Sequence, residues 1–309
     1  NYKGTALVLG NGSSAAAYTF YLSGNVPPMQ ISTSPFTHSV ALYAAVYYHG
    51  DLYVPTGSTL NLNGTGFWCK GNVQNDGGIN GTTSSSRFDF AGLLLNNPDA
   101  QTYSGSALFG PTATTATNLS LGINNATGVT INGPINVYRV NMFRGTVTNS
   151  NNITIGTGSL ACSVQIGVSG NTYPGGTFDV APTWNLGTGT FTLLYEPETV
   201  ARTTGYEIPT SRSLLTLYVE NPLGVTLAGG NLTLDGAGYL YMNSGILKTS
   251  SSNMLVMNAS ASVSGGSSTS FVDGPMSRAF AASRTASGTY SGATLFPVGI
   301  GTSYLPAWV

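Results

Sequence analysis

The sequence predicts an all-β fold and, within that class, a right-handed parallel β-helix. Three observations predict it. Charged residues make up only 7% of the 309 residues, while Gly alone accounts for 41; an ordinary soluble domain carries roughly a quarter charged residues. Apolar residues come as short triplets separated by Gly, Asn, Ser and Thr. A long internal unit occurs twice.

The low charge removes the Glu, Lys and Arg that coat exposed helices, so a helical bundle is excluded. Ten Lys+Arg against eleven Asp+Glu give a net charge of −1, which leaves no basic field to hold nucleic-acid phosphates. The 17 Tyr, 12 Phe and 3 Trp set the chain apart from disordered sequences. No run of about 18 apolar residues exists, so no membrane span is expected.

Along the chain, residues 1–50 read as an irregular capping segment. Val40 to Tyr48 is an apolar run that fits either a buried strand or a short helix. From residue 51 to 285 short strands recur every 6 to 10 residues, including Leu60 and Leu62, Phe88 and Phe90, Leu93 to Leu95, Val129 and Ile131, and Leu232 and Leu234. Each triplet offers two inward positions. That is enough for one face of a solenoid coil and short for a sandwich strand. At about 22 residues per coil the chain predicts roughly a dozen coils.

The repeat supports the solenoid. L-S-L-G-I-N-N-A-T-G-V-T-I at 119–131 parallels L-T-L-Y-V-E-N-P-L-G-V-T-L at 215–227. Both run on to G-T-V at 145–147 and G-I-L at 245–247, then to N-I-T-I at 152–155 and N-M-L-V-M at 253–257. The two related units therefore span about 118–159 and 214–262. Stacked coils would bury Leu, Ile and Val in one continuous core, with Gly and Asn at corners that need φ > 0.

Several of these steps together resemble the repetitive stalk modules of large cell-surface and gliding-motility adhesins of Bacteroidetes-type bacteria, exported by type IX secretion. The resemblance is carried by G-N-V-Q-N-D-G-G-I-N-G at 71–81, F-D-F-A-G at 88–92 with Q-T-Y-S-G at 101–105, and the two repeat cores. Two further stretches are the most specific. They are S-V-S-G-G-S-S-T-S-F-V-D-G-P-M at 262–276 with Arg278, and F-P-V-G-I-G-T-S-Y-L-P at 296–306. The resemblance implies a secreted structural segment of the bacterial cell surface, with no catalytic, cofactor or metal residues to carry over. It implies that 286–309 opens a following β-sandwich-like unit. The implied partners are flanking modules of the same polypeptide, filament neighbours, the secretion machinery and surface glycans.

Candidate chemistry is sparse. Parallel β-helices also host polysaccharide lyases and glycosidases, which need clustered carboxylates. Most acids here stand alone beside Gly or Pro, as turn formers do. Glu196 and Glu198 are the one close pair, with Arg202 and Arg212 downstream; a solvated loop with local ion pairing is the expectation. His49-Gly50-Asp51 and Asp235 are weaker candidates. Tyr239, Tyr241, Tyr47, Tyr48, Phe67, Trp68 and Trp184 would serve either as core and corner fillers or as a sugar-stacking face. Cys69 and Cys162 are either buried apolar fillers or a disulfide. The reading is a non-enzymatic filament segment, with a carbohydrate-binding module as the alternative and a polysaccharide-degrading enzyme behind it.

Overall fold

The computed structural model describes residues 7–9, 17–20, 24–26, 29–31, 39–42, 44–81, 83, 85–91, 99–110, 119–170, 172–280 and 295–308. Among them there are strands, turns and a single 3₁₀ turn at Ser150–Asn152, and no α-helix. Among the described residues no helix is long and apolar enough to cross a membrane. Contacts divide the chain into two units. One comprises Asn1–Cys162 and Gly175–Gly189, the other Ser163–Pro174 and Thr190–Val309.

The fold is a parallel β-helix. In the first unit each coil visits three faces in turn. Leu52–Val54 lies on the first face, Thr59–Asn61 on the second and Gly66–Cys69 on the third. The next coil repeats the order with Val73–Asn75, Gly78–Asn80 and Ser86–Phe90, each parallel to its predecessor. Third-face partners Val46, Phe67 and Phe88 recur every 21 residues. The step to Leu121 is longer, because the connections between those strands are longer.

Inward positions form columns. On the second face Val40, Leu60, Ile79, Phe109, Ile135 and Ile153 follow one another in register, all essentially without solvent exposure. Each such side chain contributes about 1.5–3 kcal/mol by leaving water. Aromatic rings fill the middle of this unit. Phe67 stacks on Phe88 at 5.3 Å, and Phe109 meets both Phe88 and Tyr103 edge-on at 5.1 and 5.6 Å. Cys69 and Cys162 are buried, unpaired thiols. Burial pushes the Cys162 thiol up to about 12, so these cysteines act as apolar fillers.

The second unit follows the same order. Val225–Thr226, Leu247–Lys248, Val272–Asp273 and Val298–Ile300 form one ladder. The other faces share long strands. Ser213–Val219 pairs along both halves of Leu232–Met242, with a register shift between Leu214 and Thr216. One coil later the long strand is replaced by two, Leu255–Met257 and Ser262–Gly265.

The repeated sequence builds the same corner in each unit. After the strand Leu119–Asn124, the Asn125 side chain accepts from Thr127 N at 3.0 Å and donates to Asp99 O one coil earlier at 2.8 Å. After Ser213–Val219, Asn221 accepts from Leu223 N at 3.1 Å and donates to Val200 O at 2.9 Å. Gly128 N and Gly224 N then close the turn onto the carbonyls of Asn125 and Asn221. On the following coil, Gly145 and Gly245 cross that carbonyl so closely that a Cβ would lie 1.8 Å from it in both units.

Two stretches differ in detail from expectation. The described residues of 1–50 include regular strands. Leu7–Leu9, Met29–Ile31, Ala17–Phe20, Ser39–Leu42, Gly24–Val26 and Val46–Tyr48 already lie in parallel ladders. Strands such as Leu7–Leu9 (LVL) and Gly24–Val26 (GNV) lack the apolar–polar–apolar triplet that marks the later coils. The run at 40–48 is neither one strand nor a helix, because a corner divides it into two strands on successive faces. The strand expected at 93–95 and residues 286–294 lie outside the described residues. At 295–308 the pairing turns antiparallel, Leu295–Phe296 with Ala307–Trp308 and Val298–Ile300 with Ser303–Tyr304. Val298–Ile300 nevertheless extends the solenoid ladder.

The corner geometry predicts unequal glycines. Gly245→Ala places a methyl against the Asn221 carbonyl at φ +82° and should cost about 3 kcal/mol or more. Gly170→Ala has a similar φ of +78° but open space around the new methyl, so about 1 kcal/mol is expected. Denaturant midpoints of the two variants check the difference.

Candidate functional site

The isolated acids hold corners. Asp51 Oδ1 accepts from Asn72 N at 2.6 Å, one coil along. Asp179 accepts from Asn149 N at 2.9 Å and Ser150 Oγ at 2.7 Å. Partial burial opposes its ionisation, but the bonds from Ser150, Asn149 and Val180 outweigh this and hold the carboxyl below the ordinary range. Asp235 is lowered first by the Asn258 side chain and then by Gly236 N. His49 meets Asn25 Oδ1 at 2.7 Å, so His49-Gly50-Asp51 also lies at a corner between coils. Among the described residues no group of three or more His, Cys, Asp or Glu is placed to hold a metal ion.

The Glu196–Glu198 loop differs from its expected solvated state. Glu198 and Glu207 are buried. The guanidinium of Arg202 pairs with Glu198 through both nitrogens, Nε at 3.2 Å from Oε1. Glu207 Oε1 accepts from the Tyr195 hydroxyl at 2.6 Å and from Gly205 N at 2.8 Å. Burial, and then the charge of Glu207, push the Tyr195 hydroxyl far above its usual range. Arg212 leaves these acids and donates to the carbonyls of Ala228, Gly230 and Asn231, each at 2.8 Å. The cluster latches residues 195–207 and ties them to the next coil. Its carboxylates are buried against their own partners.

Glu196 is brought near a different acid. Tyr195 and Val219 are register partners, so Glu196 and Glu220 are the next pair along the two strands. Burial raises the Glu196 carboxyl, and the charge of Glu220 adds to this. Glu220 accepts from Asn243 Nδ2 at 2.6 Å.

The aromatic candidates separate into two groups. Tyr48 and Phe67 are core. Tyr47 and Trp68 stand on the outer side of the third face, stacked at 4.9 Å and 16°. Arg87, in the neighbouring column, reaches across to within 6.0 Å of the Trp68 ring and 4.8 Å of Phe143. Its guanidinium forks onto Asp89 at 2.7 and 2.5 Å. In the second unit Tyr218 stacks on Tyr241 at 4.3 Å and 4°, with Tyr239 beside it at 5.6 Å. Trp184 ends a second-face strand, half-buried.

Sequence reasoning missed Tyr218 and Arg87, and it read Glu220 and Asp89 among the lone, turn-forming acids. The signal that finds them is the coil offset. Adding the 23 residues between Leu217 and Leu240 places Tyr218 beside Tyr241 and Glu220 beside Asn243.

Comparison with protein-family models, curated proteins and solved structures returns no match.

The buried latch predicts that Tyr195→Phe, which keeps the ring and removes the donor to Glu207, lowers unfolding free energy by about 2 kcal/mol. Chemical denaturation measures it. Asp179 and Asp235 have folded-state pKa values below the ordinary 3.8. Their contribution is therefore complete above the unfolded value and is lost as pH falls through the folded one. Thermal midpoints should drop on acidification below about pH 4, and Asp235→Asn should make that drop shallower.

Proposed function

We propose that the chain is a non-enzymatic structural segment of a long extracellular surface protein, a stalk or filament of the bacterial adhesin kind. One observation carries the reading. Polar side chains that would be candidates for chemistry are engaged in holding one coil to the next. Asp51, Asp179, Asp235, Asn125 and Asn221 each bond to a neighbouring coil. A solenoid whose contacts run mainly between neighbours lengthens by adding coils. Such a structure suits a spacer that projects a distal domain. Motifs at 71–81, 262–276 and 296–306 give this reading its cell-surface setting and its type IX route of export.

The test is an immunoblot of the native source with an antibody to residues 202–285, together with surface labelling of intact cells. A labelled band far above 31.8 kDa is expected. A free band near that mass, protected from the label, would overturn the reading.

A further inference from the structure

Two outer columns of the solenoid begin alike and end differently. In the first unit the order across coils is Tyr47, Trp68, Asp89. Tyr47 stacks on Trp68 from one side. From the other side come Asp89, which is buried, and Arg87, whose guanidinium lies over the ring. The largest ring of that column is therefore covered by the protein itself.

In the second unit the order is Tyr218, Tyr241, Ser264. Tyr218 covers one side of Tyr241. The register partner on the far side is Ser264, which is exposed and too short to cover a phenol ring. The adjacent column repeats the arrangement. Tyr239 stands between Thr216 and Ser262 and is 44% exposed. Among the described residues, Ser262–Gly265 pairs only with Leu232–Met242. The two tyrosines thus form a wall, and the two serines form a ledge beneath its open side.

The polar groups on the ledge are serine hydroxyls; Asn243 lies on the coil of Tyr241, Glu220 on the coil of Tyr218 and Glu196 one coil further back. Asn243 and Glu220 are hydrogen-bonded to each other, and Glu196 lies beside Glu220. No cation is recorded in contact with Glu196 or Glu220 among the ion pairs of the described residues. The patch is thus aromatic, rich in hydrogen-bonding groups and negative.

We propose that the wall of Tyr239 and Tyr241 above Ser262 and Ser264 is a binding site for a neutral pyranose glycan. The ligand class follows from the chemistry. The negative face of a phenol ring attracts the positive C–H edge of a sugar. The serine hydroxyls, with Asn243 on the wall's own coil, supply donors and acceptors for ring hydroxyls. The carboxylates repel uronic acids and sulfated sugars. The proposal stands apart from the structural role, and either can fail alone.

Isothermal titration of the intact chain with cellohexaose, xylohexaose and chitohexaose tests it, with a galacturonic acid oligomer as the anionic comparison. At least one neutral hexasaccharide should bind with a millimolar Kd or tighter, and the anionic oligomer should not bind. Tyr241→Ala should weaken that binding at least about tenfold, whereas Tyr47→Ala leaves it unchanged. Tyr239→Ser is the second variant, because it keeps the Tyr218–Tyr241 stack and removes the more exposed ring; it should also weaken binding. The proposal is overturned if no neutral hexasaccharide binds at concentrations about tenfold above a millimolar Kd. It is equally overturned if binding survives Tyr239→Ser unchanged, or if the anionic oligomer binds as well as the neutral ones.

Discussion

The corner where a backbone carbonyl passes directly under a glycine of the next coil sets the rest of the structure. At Asn125 and at Asn221 the chain must turn, close its own hydrogen bond through Gly128 or Gly224, and leave its carbonyl facing the coil above. Only a residue without a Cβ can cross there, and Gly145 and Gly245 do so. Once the corners are superposed, the strands that follow have no freedom of register. A slip of one residue would turn every inward Leu and Ile to solvent. The asparagine amide makes the corner a two-coil device, because it bonds forward within its own turn and backward to the preceding coil.

The unusual composition follows from this. A coil is wedged between its neighbours, so its faces are satisfied by backbone ladders and its corners by short amides, hydroxyls and carboxylates. Long charged side chains have little to do in such an arrangement, and only 7% of the residues carry charge. Where charge is buried it is partnered, as Asp89 is by Arg87. Glu198 with Arg202, and Glu207 with Tyr195, hold one loop together. Buried ion pairs contribute less to stability than to fixing one arrangement, and a loop joining two coils is a place where a single arrangement matters.

The fold class was legible because each triplet such as Val129–Ile131 or Leu255–Met257 is a strand with two inward residues. The repeat was legible because corners are chemically demanding: Asn-x-x-Gly followed a coil later by Gly fits few other purposes. The early strands were not legible, because Leu7–Leu9 and Gly24–Val26 lack the apolar–polar–apolar triplet that the later coils repeat. The outer face was legible only in part. Tyr239 and Tyr241 share a strand and were visible as a pair. Tyr218 lies one coil away, and only the register places it against Tyr241. The burial of Glu198 was hidden for a related reason. A Pro-flanked acidic loop with Arg202 downstream reads as a solvated ion pair, and nothing local announces that the pair is buried.

Residue-level hydrogen exchange tests the central role of the corners most directly. If they fix the register, the amides of Thr127, Gly128, Leu223 and Gly224 open only when whole coils unfold. Their exchange free energies should then match those of the strand amides at Leu217 and Leu240 to within about 1 kcal/mol. Corner amides exchanging about a thousandfold faster than those strands, through local fraying, would show that the ladders hold register without them and would contradict the account.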